Sequence, residues 1–322
     1  MSAVTAVVAA GGAHLPALLD RVEARLGQLA AGHGDTLAGH AGATIAAGGK
    51  RLRPLLVLLA AGGADGQGLV RAATAVELVH SATLVHDDVL DGADLRRGIP
   101  TVVARAGRGM ATATGDLLFA RAFAELVRNA RPDEVRVLSE AGSALARGEL
   151  LQRADAWDAG IGVERYLLRC ELKTARLFEA ACRLGALEGG AGDDVAERLG
   201  EFGRRIGLAF QLLDDVLDVS GPAERTGKHR GTDLLDGTVT LPLLLARDRD
   251  AALAALDPRS ITTPAAAEEV CERIAATGAL DAARTRALAI AADAKRELPG
   301  DLPAAQRRAM DLVADGVVAR YA

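Results

Sequence analysis

The pentapeptide Asp-Asp-Val-Leu-Asp occurs twice in this 322-residue chain, as Asp87–Asp91 and Asp214–Asp218, and each copy closes a long apolar stretch with helical spacing. Residues four apart share one face of a helix, so Asp87 stands one turn from Asp91 and Asp214 one turn from Asp218. Carboxylates this close repel one another. A helix C-terminus, where partial negative charge collects, is the wrong electrostatic place for them. A fold that keeps both copies needs a cation to resolve the conflict. Hard oxygen donors at this spacing suit Mg²⁺, which retains waters and takes substrate phosphates as further ligands. One copy alone reads equally well as a solvated acidic patch; two copies in the same setting do not.

The rest of the chain is built for helices. Half its residues are hydrophobic but only 2% are aromatic, so the core must come from Ala, Leu and Val. Ala and Leu are strong helix formers, and no alternating β-branched run is long enough to force a sheet. Helical spacing predicts elements over Leu15–Leu29, Asp35–Ala47 (ended by Gly48-Gly49), a third opening near Pro54, and Leu69–Asp91. Further helices are predicted over Thr112–Asn129, Pro132–Ala154, Gly162–Leu187 and Asp193–Val219, with polar loops at Asp91–Pro100 and Ser220–Gly237. Residues 1–13 read as a loose, Gly-containing start. No linker or fixed-period repeat divides the chain, which predicts one domain over residues 1–322.

A net charge of −5 provides no broad basic field for nucleic acid. Cys170, Cys182 and Cys271 form no CxxC pair and read as reduced, buried thiols of a cytoplasmic protein. The apolar stretch Ala3–Ala13 has no basic residue before it, unlike a secretory signal, and no run approaches the ~20 apolar residues of a membrane span.

The cations are clustered too. Gly48-Gly49-Lys50-Arg51-Leu52-Arg53-Pro54 sets three of them at a helix start, where backbone N–H groups also favour anions. Arg96-Arg97 follows the first aspartate cluster, and guanidinium groups match phosphate oxygens bidentately. Any single pair of this kind is ordinarily a solubility feature. Acidic clusters alternating with anion-binding cations along the chain suggest two diphosphates bound together.

These features resemble the polyprenyl synthase family, the trans-isoprenyl diphosphate synthases, over nearly the whole chain. The first motif reads His86-Asp87-Asp88-Val89-Leu90-Asp91, running on through Asp94 to Arg96-Arg97-Gly98, and the second runs from Phe210-Gln211 to Asp218. Gly115-Asp116, Gly148-Glu149-Leu150-Leu151-Gln152 and Lys173-Thr174 stand between them in the family's order. The resemblance implies a large all-α bundle of the isoprenoid synthase type around a central cavity. It implies that Asp87, Asp91 and Asp214 ligate three Mg²⁺ ions holding an allylic diphosphate, with Asp88, Asp215 and Asp218 supporting them directly or through water. Arg96, Lys173 and Lys228 would contact that diphosphate, while Lys50, Arg53, His80 and Arg97 would hold isopentenyl diphosphate. A lone histidine on an apolar helix is more often structural; the place of His80, six residues before His86, is what gives it weight. Thr174 and Gln211 would turn oxygens towards the developing allylic cation.

One position departs from the family. Thr238 stands where a lysine often precedes the Thr-Leu-Pro tripeptide, here Thr240-Leu241-Pro242, and it inherits no role. Short-chain members block the product tunnel with an aromatic residue four or five positions before the first aspartate. Those positions here are Thr83 and Ala82, with Val79 and Val76 a turn below. None is large, so the implied product is geranylgeranyl diphosphate or longer. Phe119 and Phe123 are candidates for the tunnel floor or for ordinary core. The resemblance also implies a homodimer, with transient membrane contact as a greasy product leaves. Two other readings use similar motifs: a terpene cyclase, whose second metal motif has serine where Asp218 stands, and a non-catalytic partner subunit, which commonly loses one aspartate motif.

Overall fold

A computed structural model describes residues 3–32, 34–46, 49, 51–96, 98–221 and 230–319. The all-α expectation holds. Apart from a two-residue hairpin, β1 (Leu95–Arg96) against β2 (Ile99–Pro100), every regular element among the described residues is helical. In chain order these are α1 (Ala3–Gly11), α2 (Leu15–Ala31), α3 (Asp35–Ala46), α4 (Leu52–Ala60), α5 (Gln67–Asp91) and α6 (Val102–Val127). They continue with α7 (Pro132–Ala154), α8 (Val163–Cys170), α9 (Arg176–Glu188), α10 (Asp193–Ser220) and α11 (Thr232–Leu235). The last are α12 (Leu241–Arg247), α13 (Ala251–Ala255), α14 (Pro264–Ala276), α15 (Ala279–Arg296) and α16 (Ala304–Ala319).

By contacts the chain divides into two compact units. The first comprises Met1–Gly142, Leu177–Gly203 and Glu297–Val313; the second comprises Ser143–Arg176, Arg204–Arg296 and Ala314–Ala322.

In the first unit α5 packs against α2, α4 and α6 and is buried on most sides, from Leu69 and Val70 down to Val85 and Asp88. It is long and apolar enough to cross a membrane by composition, but most of it lies inside the unit as a core helix does. Gly92 ends it at φ 62°, a conformation that costs glycine little, and returns its N–H to the Asp88 carbonyl. Two expectations are corrected here. The first 13 residues include the helix α1, with Val7 buried, rather than only a loose lead. The helix expected from Thr112 begins instead at Val102, because the Thr101 hydroxyl caps it by accepting from the Ala104 N–H. Gly107 (φ 80°, ψ 169°) breaks that helix, so the sequence signal marked only its second segment.

In the second unit Ala279, Ala283, Ala287 and Ala291 form a buried four-residue repeat along α15, which packs on α12. Small side chains let the two helices approach closely, which is how a core poor in aromatics stays filled. The helix expected from Gly162 to Leu187 is interrupted by a π-helical turn at Glu171–Ala175 between α8 and α9. Cys170, Cys182 and Cys271 are free and buried, and burial raises all three thiols away from reactivity.

Candidate active site

The first aspartate motif forms the last turns of α5. Its middle member, Asp88, is buried and accepts from Arg96 at 2.8 Å through both Nε and Nη2. The hairpin after α5 makes this possible by folding Arg96 back beside the helix end it follows. Asp87 is half-buried and Asp91 exposed, so the two outer carboxylates reach solvent. His86 precedes them in a tight seat. A Cβ on Gly115 would lie 2.2 Å from its Nε2, its ring stacks on Phe119 at 5.8 Å, and its Nε2 is 3.3 Å from Asp116 Oδ1. The Gly115-Asp116 pair thus has a steric reason: only glycine leaves room for the imidazole that the aspartate then meets.

His80 lines a cavity of about 50 Å³ with Glu77, Asp88, Arg96, His40 and Arg105. Two arginines of the basic loop have different fates. Arg51, at φ 51°, donates to Glu77 at 2.6 Å, to Glu23 at 2.5 Å and to the Ile45 carbonyl at 2.8 Å. It bolts α4 to α2, α3 and α5. Arg53 lies 4.6 Å over the Phe178 ring, and its buried Nε has no hydrogen-bond partner. Burial lowers its guanidinium to about 10, partly offset by Glu77, and it stays charged at neutral pH. An orphaned donor on a desolvated cation is a natural receptor for an anion. Burial likewise raises the Glu77 carboxyl, against the pull of Arg51. Lys50 and Arg97 lie outside the described residues. Val76, Val79 and Ala82 are fully buried on α5, and Thr83 is half-buried with its hydroxyl on the His80 carbonyl.

The second motif, in the second unit, repeats the pattern. Asp215 is buried, accepting from Tyr166 Oη at 2.6 Å and Gln211 Nε2 at 2.7 Å, while Asp214 is exposed and Asp218 half-buried. Burial, with Asp233 nearby, raises the Asp215 carboxyl. The Gln211 carbonyl accepts from Thr174 Oγ1 at 2.7 Å. Lys173 donates to Glu149 at 2.5 Å. Burial alone would raise that carboxyl, but Lys173 and Arg153 together hold it below its ordinary value. Lys173 and Thr174 sit in the π turn, whose backbone a Cβ at Gly148 would meet at 2.5 Å. The neighbouring residues Gly148 and Glu149 therefore seat the backbone and the ammonium of Lys173. Lys228 lies outside the described residues. Thr238 is half-buried and donates its N–H to the Asp233 carbonyl.

Sequence reasoning gave no role to Glu77, Tyr166 or Glu149. Only a weak signal was available for Tyr166, two turns before Lys173 on the helix face it shares with Arg169 and Cys170. In neither unit do three acidic, histidine or cysteine side chains among the described residues converge into a metal cage. Partly solvated outer carboxylates one turn apart fit instead an ion that keeps waters and completes its shell with substrate phosphate.

Helices that end in paired aspartates, with an arginine on the middle carboxylate of the first, define a class suited to diphosphate esters. Residues 35–276 match the family described as polyprenyl synthetase, and the chain belongs to that family. It is 45% identical over 219 residues to heptaprenyl diphosphate synthase component 2 of Geobacillus stearothermophilus, covering 66% of this chain and 68% of that protein. It is 37% identical to the geranylgeranyl diphosphate synthase of Methanosarcina mazei, covering 85% of this chain and 86% of that one. Among solved structures it resembles a polyprenyl synthase from Caulobacter crescentus CB15 complexed with calcium and isoprenyl diphosphate. The TM-score there is 0.88 at 37% identity, over 99% of this chain and 98% of that one. The chain is a prenyltransferase of the polyprenyl diphosphate synthase kind.

Proposed function

We propose that this enzyme is a magnesium-dependent trans-prenyltransferase that condenses isopentenyl diphosphate with an allylic diphosphate, releasing geranylgeranyl diphosphate or a longer polyprenyl diphosphate. The observation that carries this reading is the matched design of the two motifs. In each, the middle aspartate is buried on side-chain donors and the outer two reach solvent, Asp218 also accepting from the Asp233 N–H at 3.2 Å. Asp87, Asp91, Asp214 and Asp218 would hold the metal, and Asp88 and Asp215 would fix the helix ends that present them. Magnesium bound there would neutralise the charge gathering on the departing diphosphate, and three ions are expected with substrate present.

The chain's own residues do the remainder. Arg96, Lys173 and Lys228 draw the allylic diphosphate, while Arg53, His80, Lys50 and Arg97 draw isopentenyl diphosphate. Cations fixed around a leaving diphosphate favour ionisation of the allylic C–O bond. Thr174 and Gln211 then face the allylic cation with oxygen rather than carbon. The double bond of isopentenyl diphosphate attacks, and the departed diphosphate takes the proton lost in completing the trans addition. An apolar surround excludes the water that would quench the cation.

In this reading both units belong to one isoprenoid synthase domain, working as a homodimer in the cytoplasm. Small residues at Val79, Ala82 and Thr83 leave the product room to grow. A relative named as a component of heptaprenyl diphosphate synthase supports a second reading, in which a partner chain is needed for activity. Incubating the purified chain with Mg²⁺, labelled isopentenyl diphosphate and geranyl, farnesyl or geranylgeranyl diphosphate tests both. A ladder of dephosphorylated prenols ending at one length is expected. Allylic diphosphate consumed without isopentenyl diphosphate would point to cyclisation, and no turnover by folded protein would point to a missing partner.

A further inference from the structure

The second aspartate motif is tied to α8 by a continuous chain of hydrogen bonds. With Asp215 ionised it only accepts, so Tyr166 donates to its Oδ2 and Gln211 turns its NH₂ to its Oδ1, at 2.6 and 2.7 Å. With its nitrogen so used, Gln211 presents its carbonyl to Thr174, which donates its only hydroxyl hydrogen there at 2.7 Å. The Thr174 oxygen is left with lone pairs, and no hydrogen, to turn elsewhere.

Tyr166 is where this order begins. Its ring is fully buried, with the Arg169 guanidinium 5.5 Å from the ring centroid. Arg169 is itself pinned, donating to the Val239 carbonyl. A ring held this way keeps its hydroxyl between the Asp215 carboxylate and the Cys170 thiol, and of the two the carboxylate is the stronger acceptor. Asp215 is also buried, with no bulk water to replace that donor. Without it the carboxylate can rotate, Gln211 loses its reason to face one way, and Thr174 can turn its hydrogen instead of its lone pairs.

We propose that Tyr166 is a positioning residue for prenyl transfer, which through Asp215 and Gln211 keeps the Thr174 hydroxyl oxygen turned towards the allylic cation. The proposal rests on the prenyl-transfer reading above. It concerns orientation alone: no proton is transferred along the chain.

The test is Tyr166→Phe in the full chain, assayed with Mg²⁺, isopentenyl diphosphate and farnesyl diphosphate, beside Thr174→Val and the double variant. Losing one hydrogen bond to a charged group predicts that kcat falls about tenfold, with KM for both diphosphates nearly unchanged. Because Tyr166 acts through Thr174, the double variant is expected to be no slower than Thr174→Val. Wild-type kcat in Tyr166→Phe, a loss carried by KM, or losses that multiply in the double variant would each overturn the proposal. A Tyr166→Phe chain that does not fold, judged by thermal unfolding, overturns it also by making the tyrosine purely structural. If the wild type elongates nothing, the prenyl-transfer reading itself fails; an active wild type with an unaltered variant refutes the positioning role alone.

Discussion

Arg51 sits in the motif that the resemblance assigns to isopentenyl diphosphate, yet its side chain is spent on the protein, and Arg51→Met separates these two uses. The substitution keeps much of the aliphatic stem and removes the fork. Its bond to Glu77 is the costly one to break, at 2.6 Å with side-chain exposures of 13% and 4%. Breaking a buried pair by deleting one partner costs about 3–5 kcal/mol, because the remaining charge is left uncompensated. The Glu23 bond contributes less, since that carboxylate is 48% exposed and solvent screens it. Arg53 remains near Glu77 and offsets part of the loss, which places the expected cost near the lower end of the range. Spread over the unfolding entropy of a 322-residue chain, this lowers the unfolding midpoint by about 5 °C.

Acid should mute the effect. Glu77 already has a raised pKa in the folded protein, from burial first, with Arg51 pulling it down. A carboxyl raised on folding binds its proton more tightly when folded. Its contribution to stability is therefore present below the unfolded pKa and is lost as pH rises through the folded one. Removing Arg51 raises that folded pKa further, so the deficit should be largest at neutral and alkaline pH and should shrink as Glu77 takes a proton. Thermal unfolding of wild type, Arg51→Met and Arg51→Lys across pH reads this directly, with Arg51→Lys intermediate because an ammonium keeps the charge but not the fork. An unchanged midpoint together with a raised KM for isopentenyl diphosphate would refute the reasoning and put Arg51 on the substrate.

The outer aspartates carry a different expectation. Asp87→Asn and Asp214→Asn should each lower kcat by on the order of 10²-fold or more and raise the Mg²⁺ needed for half-maximal rate, with unfolding midpoints little changed. Midpoints that fall with an unaltered Mg²⁺ requirement would mean that these carboxylates hold the fold. Gly115→Ala sets a methyl 2.2 Å from His86 Nε2 and should cost about 1–3 kcal/mol and much of the activity. Adding His86→Ala should restore the unfolding midpoint, and failure to do so would place the strain elsewhere. Ala82→Tyr should shorten the main product seen by chromatography; an unchanged length would remove Val79, Ala82 and Thr83 from chain-length control.

Much of this was legible from spacing alone, and the divide between what was and was not has a physical basis. Helices such as α7 were readable to the residue, because Pro132 opens it and a continuous 3.6-residue pattern follows. The aspartate motifs were readable because each is a local i, i+4 pattern. Position within a motif was not enough to assign tasks, however. Asp88 and Asp215 look like their outer neighbours in sequence, and burial against particular donors distinguishes them: Arg96 on the strand that follows α5, and Tyr166 49 positions away. The π turn at Glu171–Ala175 lies in an uninterrupted helical pattern, and what it packs against, the bare Gly148, belongs to another helix. Tyr166 on Asp215 and Gly148 against the π turn are contacts distant in sequence, which periodicity cannot encode. They also coincide with the second motif's surroundings, where Lys173, Thr174 and Gln211 must each point one way. A site that has to stabilise a cation needs oxygen atoms fixed in direction, and direction is set by buried neighbours such as Tyr166 and Glu149 rather than by the motif residues themselves.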